Sequence, residues 1–278
     1  MDKDKVSVPD FSQMKADRRP IAMVTAYDYP FARIFDQAGI DALLVGDSLG
    51  MVVQGNDSTI PVTVDEMVYH CRMVARARRR ALLIADMPFL SFQVSIEQAI
   101  QNAGRLIKEG GAEAVKVEGG IAIAETVRRL TEIDIPVMGH VGLTPQSVHR
   151  MGGHRVQGRR PGKGPGGRER LIDDALALEA AGAFAVVLEG MPRNLAAEIT
   201  ARLTIPTIGI GAGSDCDGQV LVMHDLLGLS ESLLPRFAKR YANLWQAASG
   251  AVNDYIREVR DHSFPDAEHS YSPGRKSA

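Results

Sequence analysis

Cysteine is scarce: the 278 residues contain two, Cys71 and Cys216, far apart and outside any Cys-x-x-Cys pair. That excludes a secreted disulfide framework and fits a reducing compartment. An excess of charge of either sign is also missing. A formal net charge of -2 and a pI near 6.4 give no global electrostatic reason to bind nucleic acid or an anionic membrane surface. The first residues, MDKDKVSVPDFSQMK, are charged and lack a continuous apolar run, so neither a signal peptide nor a membrane helix is expected there. The expectation is a cytoplasmic protein that acts on a small molecule, with no nucleic-acid or membrane partner.

What is present is apolar and periodic. At 45% hydrophobic and 24% charged residues, the chain can bury one large core. Short apolar runs recur at residues 21–26 (IAMVTA), 42–46 (ALLVG), 81–85 (ALLIA), 114–117 (AVKV), 135–139 (IPVMG), 184–188 (FAVVL) and 206–210 (PTIGI), with a weaker one at 226–229. Each reads as a buried strand. Helical spacing fills residues 30–38, 96–109 and 168–181, the last two stopped by Gly110 and Gly182 as left-handed helix ends. The step from helix through glycine to strand repeats at AGIDALLV, GGAEAVKV and AGAFAVVL, which is how alternating β and α units read. Eight units in about 250 residues predict a closed (β/α)8 barrel spanning residues 1–278 as a single domain. An open doubly wound sheet is the alternative. Residues 150–170 (RMGGHRVQGRRPGKGPGGRER) carry no apolar period and read either as a mobile loop over the site or as a surface insertion. The tail from 263 is polar, with residues 270–278 expected to fray.

Polar residues interrupt the C-terminal ends of these strands at Asp47, Asp86, Glu118, His140 and Glu189. In a parallel barrel those ends open on one face, where catalytic groups collect. Lys116 and Glu118, two apart on one strand, share a face. If that face is the interior, both must be paired or metal-bound; an internal salt bridge that only braces the fourth strand is the plain alternative. Carboxylates converging on one cavity repel unless protons or a cation intervene, and oxygen donors suit Mg²⁺ or a similar hard cation. Asp47 alone reads equally as a cap, and His140 as an interior histidine. Glu189 ends a very apolar run, a setting suited to proton transfer, with the orienting of Lys116 or His140 as its other reading.

Other features read as structural. The GIGAG segment, residues 209–213, resembles a phosphate-binding turn, but a tight strand exit needs the same glycines. The run RMVARARRR, residues 72–80, reads as the solvated C-terminal end of a helix rather than a nucleic-acid patch.

Five longer stretches, VGDSLGMVVQGNDSTIPVT, LLIADMPF, AVKVEGG, GHVGLTPQS and LALEAAGAFAVVLEGMP, resemble the ketopantoate hydroxymethyltransferase family, and the likeness runs from about Arg19 to the EHSY near the C-terminus. The resemblance implies a (β/α)8 barrel of the phosphoenolpyruvate/pyruvate superfamily, assembled as a homo-oligomer, commonly a decamer. It implies transfer of a one-carbon unit from 5,10-methylenetetrahydrofolate to 3-methyl-2-oxobutanoate through a metal-stabilised enolate, giving 2-dehydropantoate for pantothenate synthesis. Carried over by position, the metal-associated carboxylates are Asp47, Asp86 and Glu118. Ser48 and Lys116 fall, with Asp47 and Asp86, where the family binds the oxo acid. His140 matches its active-site histidine and Glu189 its proton acceptor. The segment 159–170 is longer and more basic than the family's usual loop, and its Arg159, Arg160 and Lys163 offer charge to the acidic tail of a folate. The rival readings are a folate-independent, metal-dependent lyase or mutase of the same superfamily, a Schiff-base aldolase using Lys116, and a non-catalytic barrel that binds a chelated oxo acid.

Overall fold

The apolar runs form strands in a computed structural model that describes residues 5–230 and 234–272. They are β1 Ile21–Thr25, β2 Ala42–Val45, β3 Leu82–Asp86, β4 Ala114–Glu118, β5 Val137–Gly142, β6 Ala185–Glu189, β7 Thr207–Ile210 and β8 Gly218–Leu221. All pair in parallel in chain order, and β8 closes onto β1. The structure is therefore the expected closed barrel and not the open sheet.

The eighth strand lies eight residues before its expected place. Residues 226–229 are not a strand, and the first two of them end a short helix. The true β8, GQVL, alternates buried Gly218 and Val220 with exposed Gln219, so it presents no apolar run to read. Gly218 is required by packing: a Cβ there would come within 2.5 Å of the Ile21 carbonyl oxygen and 2.8 Å of Ile208 Cδ1. Between β7 and β8 the described structure has no helix, so this one unit departs from the strand-helix alternation.

Helices α1 Val8–Ala16, α2 Tyr29–Gln37, α3 Leu49–Val52, α4 Val64–Ala77, α5 Ile96–Lys108, α6 Ala124–Thr131, α7 Val148–Met151, α8 Arg168–Ala180, α9 Arg193–Arg202, α10 Met223–Leu227 and α11 Leu244–Arg260 complete the order. Local chemistry starts and stops them. Thr63 and Glu66 close a capping box on α4, with Thr63 N donating to Glu66 Oε2 at 2.7 Å, and the helix then buries Met67, Cys71 and Val74 on one face. Beyond α5 the left-handed residue is Gly111 (φ 77°), not Gly110. Gly110 is needed for another reason, because a Cβ there would meet Leu106 O at 2.5 Å and Cys71 Cβ at 2.9 Å. Gly182 (φ 93°) ends α8 as expected.

Alternate strand residues point inward and form one core: Ile21 and Met23, Ala42 and Leu44, Leu82 and Ile84, Ala185 and Val187, Ile208 and Ile210. The same core takes Phe11 and Met14 from α1, an element without a clear sequence signal because few of its positions are buried. Phe11 is wholly buried and meets Phe184 edge to face, with ring centroids 5.6 Å apart. Burying such a ring is worth about 1.5–3 kcal/mol, which makes α1 a plug for the barrel interior. Lys15 holds it there, pairing with Asp217 at 2.8 Å and donating to Ile205 O at 3.1 Å.

Residues up to Met223 form one compact unit and those from His224 a second. All eight strands lie in the first. In the second, α11 leaves Trp245, Val252 and Tyr255 exposed. Among the described residues no helix is long and apolar enough to cross a membrane. Of the tail expected to fray, residues 273–278 lie outside the described residues.

Candidate active site

The inward face that builds the core also delivers the polar cluster. Continuing Leu82 and Ile84 by two residues brings Asp86 inward; continuing Ala114 brings Lys116 and then Glu118; Met138 leads to His140, and Val187 to Glu189. Parallel register sets the neighbours. Asp86 lies beside Lys116, and Glu118 beside His140. At the end of β2, Gly46 leaves the space a side chain would fill: a Cβ there would be 2.8 Å from Ser48 Oγ and 3.4 Å from Asp86 Oδ2.

Asp47, Asp86, Lys116, Glu118 and His140 are between 2% and 8% exposed, so their charges must be met by one another. Lys116 Nζ sits 2.8 Å from Asp86 Oδ1. The ammonium therefore crosses to β3, so the internal salt bridge weighed for the fourth strand is made with Asp86. Asp86 Oδ2 accepts the Asp47 backbone N–H at 3.1 Å. Asp47 caps no helix; its Oδ2 accepts from Gln146 Nε2 at 2.8 Å. Ser48 Oγ lies 2.8 Å from the hydroxyl of buried Tyr27. His140 Nε2 is 3.2 Å from Glu189 Oε2, while its Nδ1 is 3.6 Å from Glu118 Oε1 and 3.3 Å from Lys116 Nζ. All seven residues named from the sequence thus stand at the strand ends of one barrel mouth.

The electrostatics follow from this crowding. Burial, then the charges of Asp86 and Glu118, hold Asp47 well above the ordinary carboxylate range. For Lys116, burial opposes the charge, but Asp86, Glu118 and Asp47 outweigh it and raise the pKa, so the lysine stays an ammonium. That removes the free amine a Schiff-base aldolase needs. Burial and Lys116 also oppose charge on His140, yet the neighbouring Glu118 and Glu189 carboxylates prevail and push it up to about 9. Its ring can face both carboxylates as imidazolium. When neutral, its Nδ1 can accept from Lys116 Nζ at 3.3 Å.

Two residues of this site had no sequence signal. Tyr27 follows β1, where it reads as one more apolar strand-end residue. Gln146 lies in a 3₁₀ turn after β5, where strand alternation has already ended. Its side chain enters the mouth all the same. The segment 152–167 has no helix or named strand; it docks through Gln157 N to Gly190 O at 2.9 Å, beside Glu189. Of its basic residues, Lys163 pairs with Asp173 at 2.7 Å, while Arg159 and Arg160 are exposed. The GIGAG segment ends β7 with Gly209 and Ile210 and then turns: Gly211 and Gly213 take positive φ, and a Cβ on Gly213 would press on Arg193 Cβ at 2.6 Å. The arginines at 78 and 80 likewise serve structure, pairing with Glu113 at 2.9 Å and Asp41 at 3.0 Å.

Comparison with known proteins agrees with this geometry. Residues 5–267 match the ketopantoate hydroxymethyltransferase family. A 3-methyl-2-oxobutanoate hydroxymethyltransferase from Pelobacter propionicus is 61% identical over 268 residues, covering 96% of this chain and 98% of that protein. One from Moorella thermoacetica is 56% identical over 269 residues, covering 97% and 98%. Among solved structures, phosphonopyruvate hydrolase in complex with oxalate and Mg²⁺ superposes with a TM-score of 0.61 at 14% identity, over 95% of this chain and 93% of that one. A 2,3-dimethylmalate lyase of the PEP mutase/isocitrate lyase superfamily superposes at 0.60 and 16%, over 96% and 91%. At such identities the structures speak for the barrel alone. The sequence relatives and the family match decide the rest: the chain belongs to the ketopantoate hydroxymethyltransferase family of enzymes.

Proposed function

We propose that the chain transfers a hydroxymethyl unit from 5,10-methylenetetrahydrofolate to 3-methyl-2-oxobutanoate, giving 2-dehydropantoate in pantothenate synthesis, and that it does so as a cytoplasmic homo-oligomer of the decameric kind its family implies. The observation that carries the chemistry is the barrel mouth in which Asp47, Asp86, Glu118 and Glu189 face, among the described residues, Lys116 and His140 as cations.

Even with both cations charged, ionised carboxylates leave two negative charges uncompensated. Burial first, and then the charges of Asp86 and Glu118, oppose the ionisation of Asp47 and raise its pKa. A divalent cation suits this excess of negative charge, and an all-oxygen donor set suits Mg²⁺ or a similar hard ion. Among the described residues, however, no three His, Cys, Asp or Glu side chains converge as a metal cage. Asp47 and Asp86 are the adjacent pair that would hold the ion, with Glu118, turned toward Gln146 and His140, assisting from beside them. Such an ion, bound by the 2-oxo acid's carboxylate and ketone oxygens, would withdraw charge from the carbonyl and make the C3 proton removable.

The chain's own residues do the rest. Lys116, held protonated by its carboxylate neighbours, faces the negative charge that develops on the substrate oxygen. Ser48, oriented by Tyr27, offers a hydroxyl at the same edge. Glu189 accepts the C3 proton, and the His140 imidazolium, 3.2 Å away, offsets the charge of the carboxylate before the proton arrives. The substrate's C3 then forms the new C–C bond to the methylene carbon of the folate; one water is consumed, and tetrahydrofolate leaves. The exposed Arg159 and Arg160 lie on the segment that docks beside Glu189, where they would attract an acidic folate tail.

The test is an assay of the purified protein on 3-methyl-2-oxobutanoate with methylenetetrahydrofolate, with and without Mg²⁺. Formation of 2-dehydropantoate that needs both additions is the expected result. Turnover of a 2-oxo acid without folate points instead to a lyase or mutase.

A further inference from the structure

The connection from β5 to α8 sends one side chain into the barrel mouth. Gln146 is 7% exposed and makes four hydrogen bonds. Its Nε2 donates to Asp47 Oδ2 at 2.8 Å and to the Met87 carbonyl at 2.9 Å. Its backbone N–H donates to Glu118 Oε2 at 3.0 Å, and its Oε1 accepts from Gln93 Nε2 at 3.2 Å. One residue thus ties together the ends of β2, β3 and β4 from outside all three.

The pattern is asymmetric in a useful way. An uncharged amide has two N–H donors, and here both are committed, one of them to a crowded carboxylate. Each proposed metal-associated carboxylate that Gln146 touches is held by one oxygen only. Asp47 is held at Oδ2 and Glu118 at Oε2, leaving the second oxygen of each to other partners. Gln93 fixes which way round the amide lies, because its N–H₂ satisfies the Gln146 carbonyl oxygen. A glutamate at this position would add another negative charge, and an apolar side chain would leave Asp47 Oδ2 without its donor.

We propose that Gln146 is a positioning residue that presets the rotamers of Asp47 and Glu118 for a divalent cation, with Gln93 setting the orientation of its amide. The inference rests on the reading of the mouth as a metal site. Partners of this outer kind change metal affinity about 10–100-fold when removed. Methionine is close in length to glutamine and keeps the backbone N–H to Glu118, so Gln146→Met deletes the side-chain donor selectively.

The experiment is Mn²⁺ titration of the full-length protein without substrate, followed by calorimetry and by water-proton relaxation, alongside the thermal midpoint of the metal-free protein. Gln146→Met is expected to weaken Mn²⁺ binding about tenfold or more, with the metal-free midpoint lowered by the loss of two buried hydrogen bonds but still above the titration temperature. Binding within twofold of the parent overturns the assignment. If Gln146→Met does not fold, Gln93→Leu takes its place: a loss of at least twofold in Mn²⁺ affinity supports the role, and unchanged affinity overturns it. A parent protein that binds no Mn²⁺ refutes the metal reading, and the inference with it, before any variant is made.

Discussion

At the scale of single residues, the site is a set of charges whose roles separate by what each one touches. Glu189 touches only His140 among these charges and sits at the least enclosed edge, with 16% of its side chain exposed. That makes it the carboxylate open to a substrate C–H. Glu189→Gln is expected to lower the exchange of the C3 proton of 3-methyl-2-oxobutanoate in deuterated water about 10²–10⁴-fold, read by NMR without folate. Near-normal exchange moves the base elsewhere. His140 gives a pH prediction with a definite sign. Its folded pKa of about 9 lies above the unfolded value of about 6.5, so its contribution to stability is full below about 6.5 and is lost as pH rises through about 9. Denaturation midpoints of the metal-free protein between pH 6 and 10 are expected to fall over that window, and His140→Gln to remove that part of the slope. A variant with the parent's slope assigns it to another group. Asp47, Asp86, Glu118, His140 and Glu189 were legible because each breaks an apolar strand at its end. Gln146 and Tyr27 were not, since neither interrupts a pattern.

At the scale of elements, strand register and turn geometry place these groups. Glu189 is set by β6 lying against Gly142 of β5, where Leu143 N donates to the Glu189 carbonyl at 2.8 Å. Gly142 has φ 103°, and a Cβ there would come 2.1 Å from that carbonyl oxygen. Gly142→Ala is therefore expected to cost about 2–4 kcal/mol, as positive φ and overpacking add, and to lower kcat by displacing Glu189. Gly39→Ala is the control, with φ 89° and nothing within 4 Å of the added Cβ; it should cost about 1–2 kcal/mol and leave kcat unchanged. Denaturant unfolding and steady-state kinetics of the two variants check this. Equal losses for both would show that backbone strain alone matters at Gly142. Most strands and long helices were legible because their apolar periods are strong. The helix α1 and strand β8 were not, because each earns its place by packing a few residues against distant partners: Phe11 on Phe184, and Gly218 on Ile21.

At the scale of the whole molecule, the barrel gathers like charges at one end and carries the cost. Folding keeps Asp47 in an environment that favours its neutral form, so its ionisation opposes stability as pH rises above the unfolded value of about 3.9. Asp47→Asn is expected to raise the unfolding midpoint of the metal-free protein at pH 7 and to abolish stabilisation by added Mg²⁺. The parent should gain stability with Mg²⁺ as mass action requires, about 2.7 kcal/mol at a hundredfold excess over Kd. Calorimetric scans with and without the cation check both parts, and an unstabilised parent counts against a metal at this mouth. The amino-acid sequence by itself determined the alternating barrel, the ring of strand-end polar residues and the family, because periodicity and long ordered motifs are local properties of a chain. Only the tertiary structure decided that Lys116 pairs with Asp86 and not Glu118, that β8 closes the barrel at Gly218, and that Gln146 bridges Asp47 and Glu118. Those outcomes depend on parallel register and on loops that return from far along the chain, and distance along a sequence does not encode either.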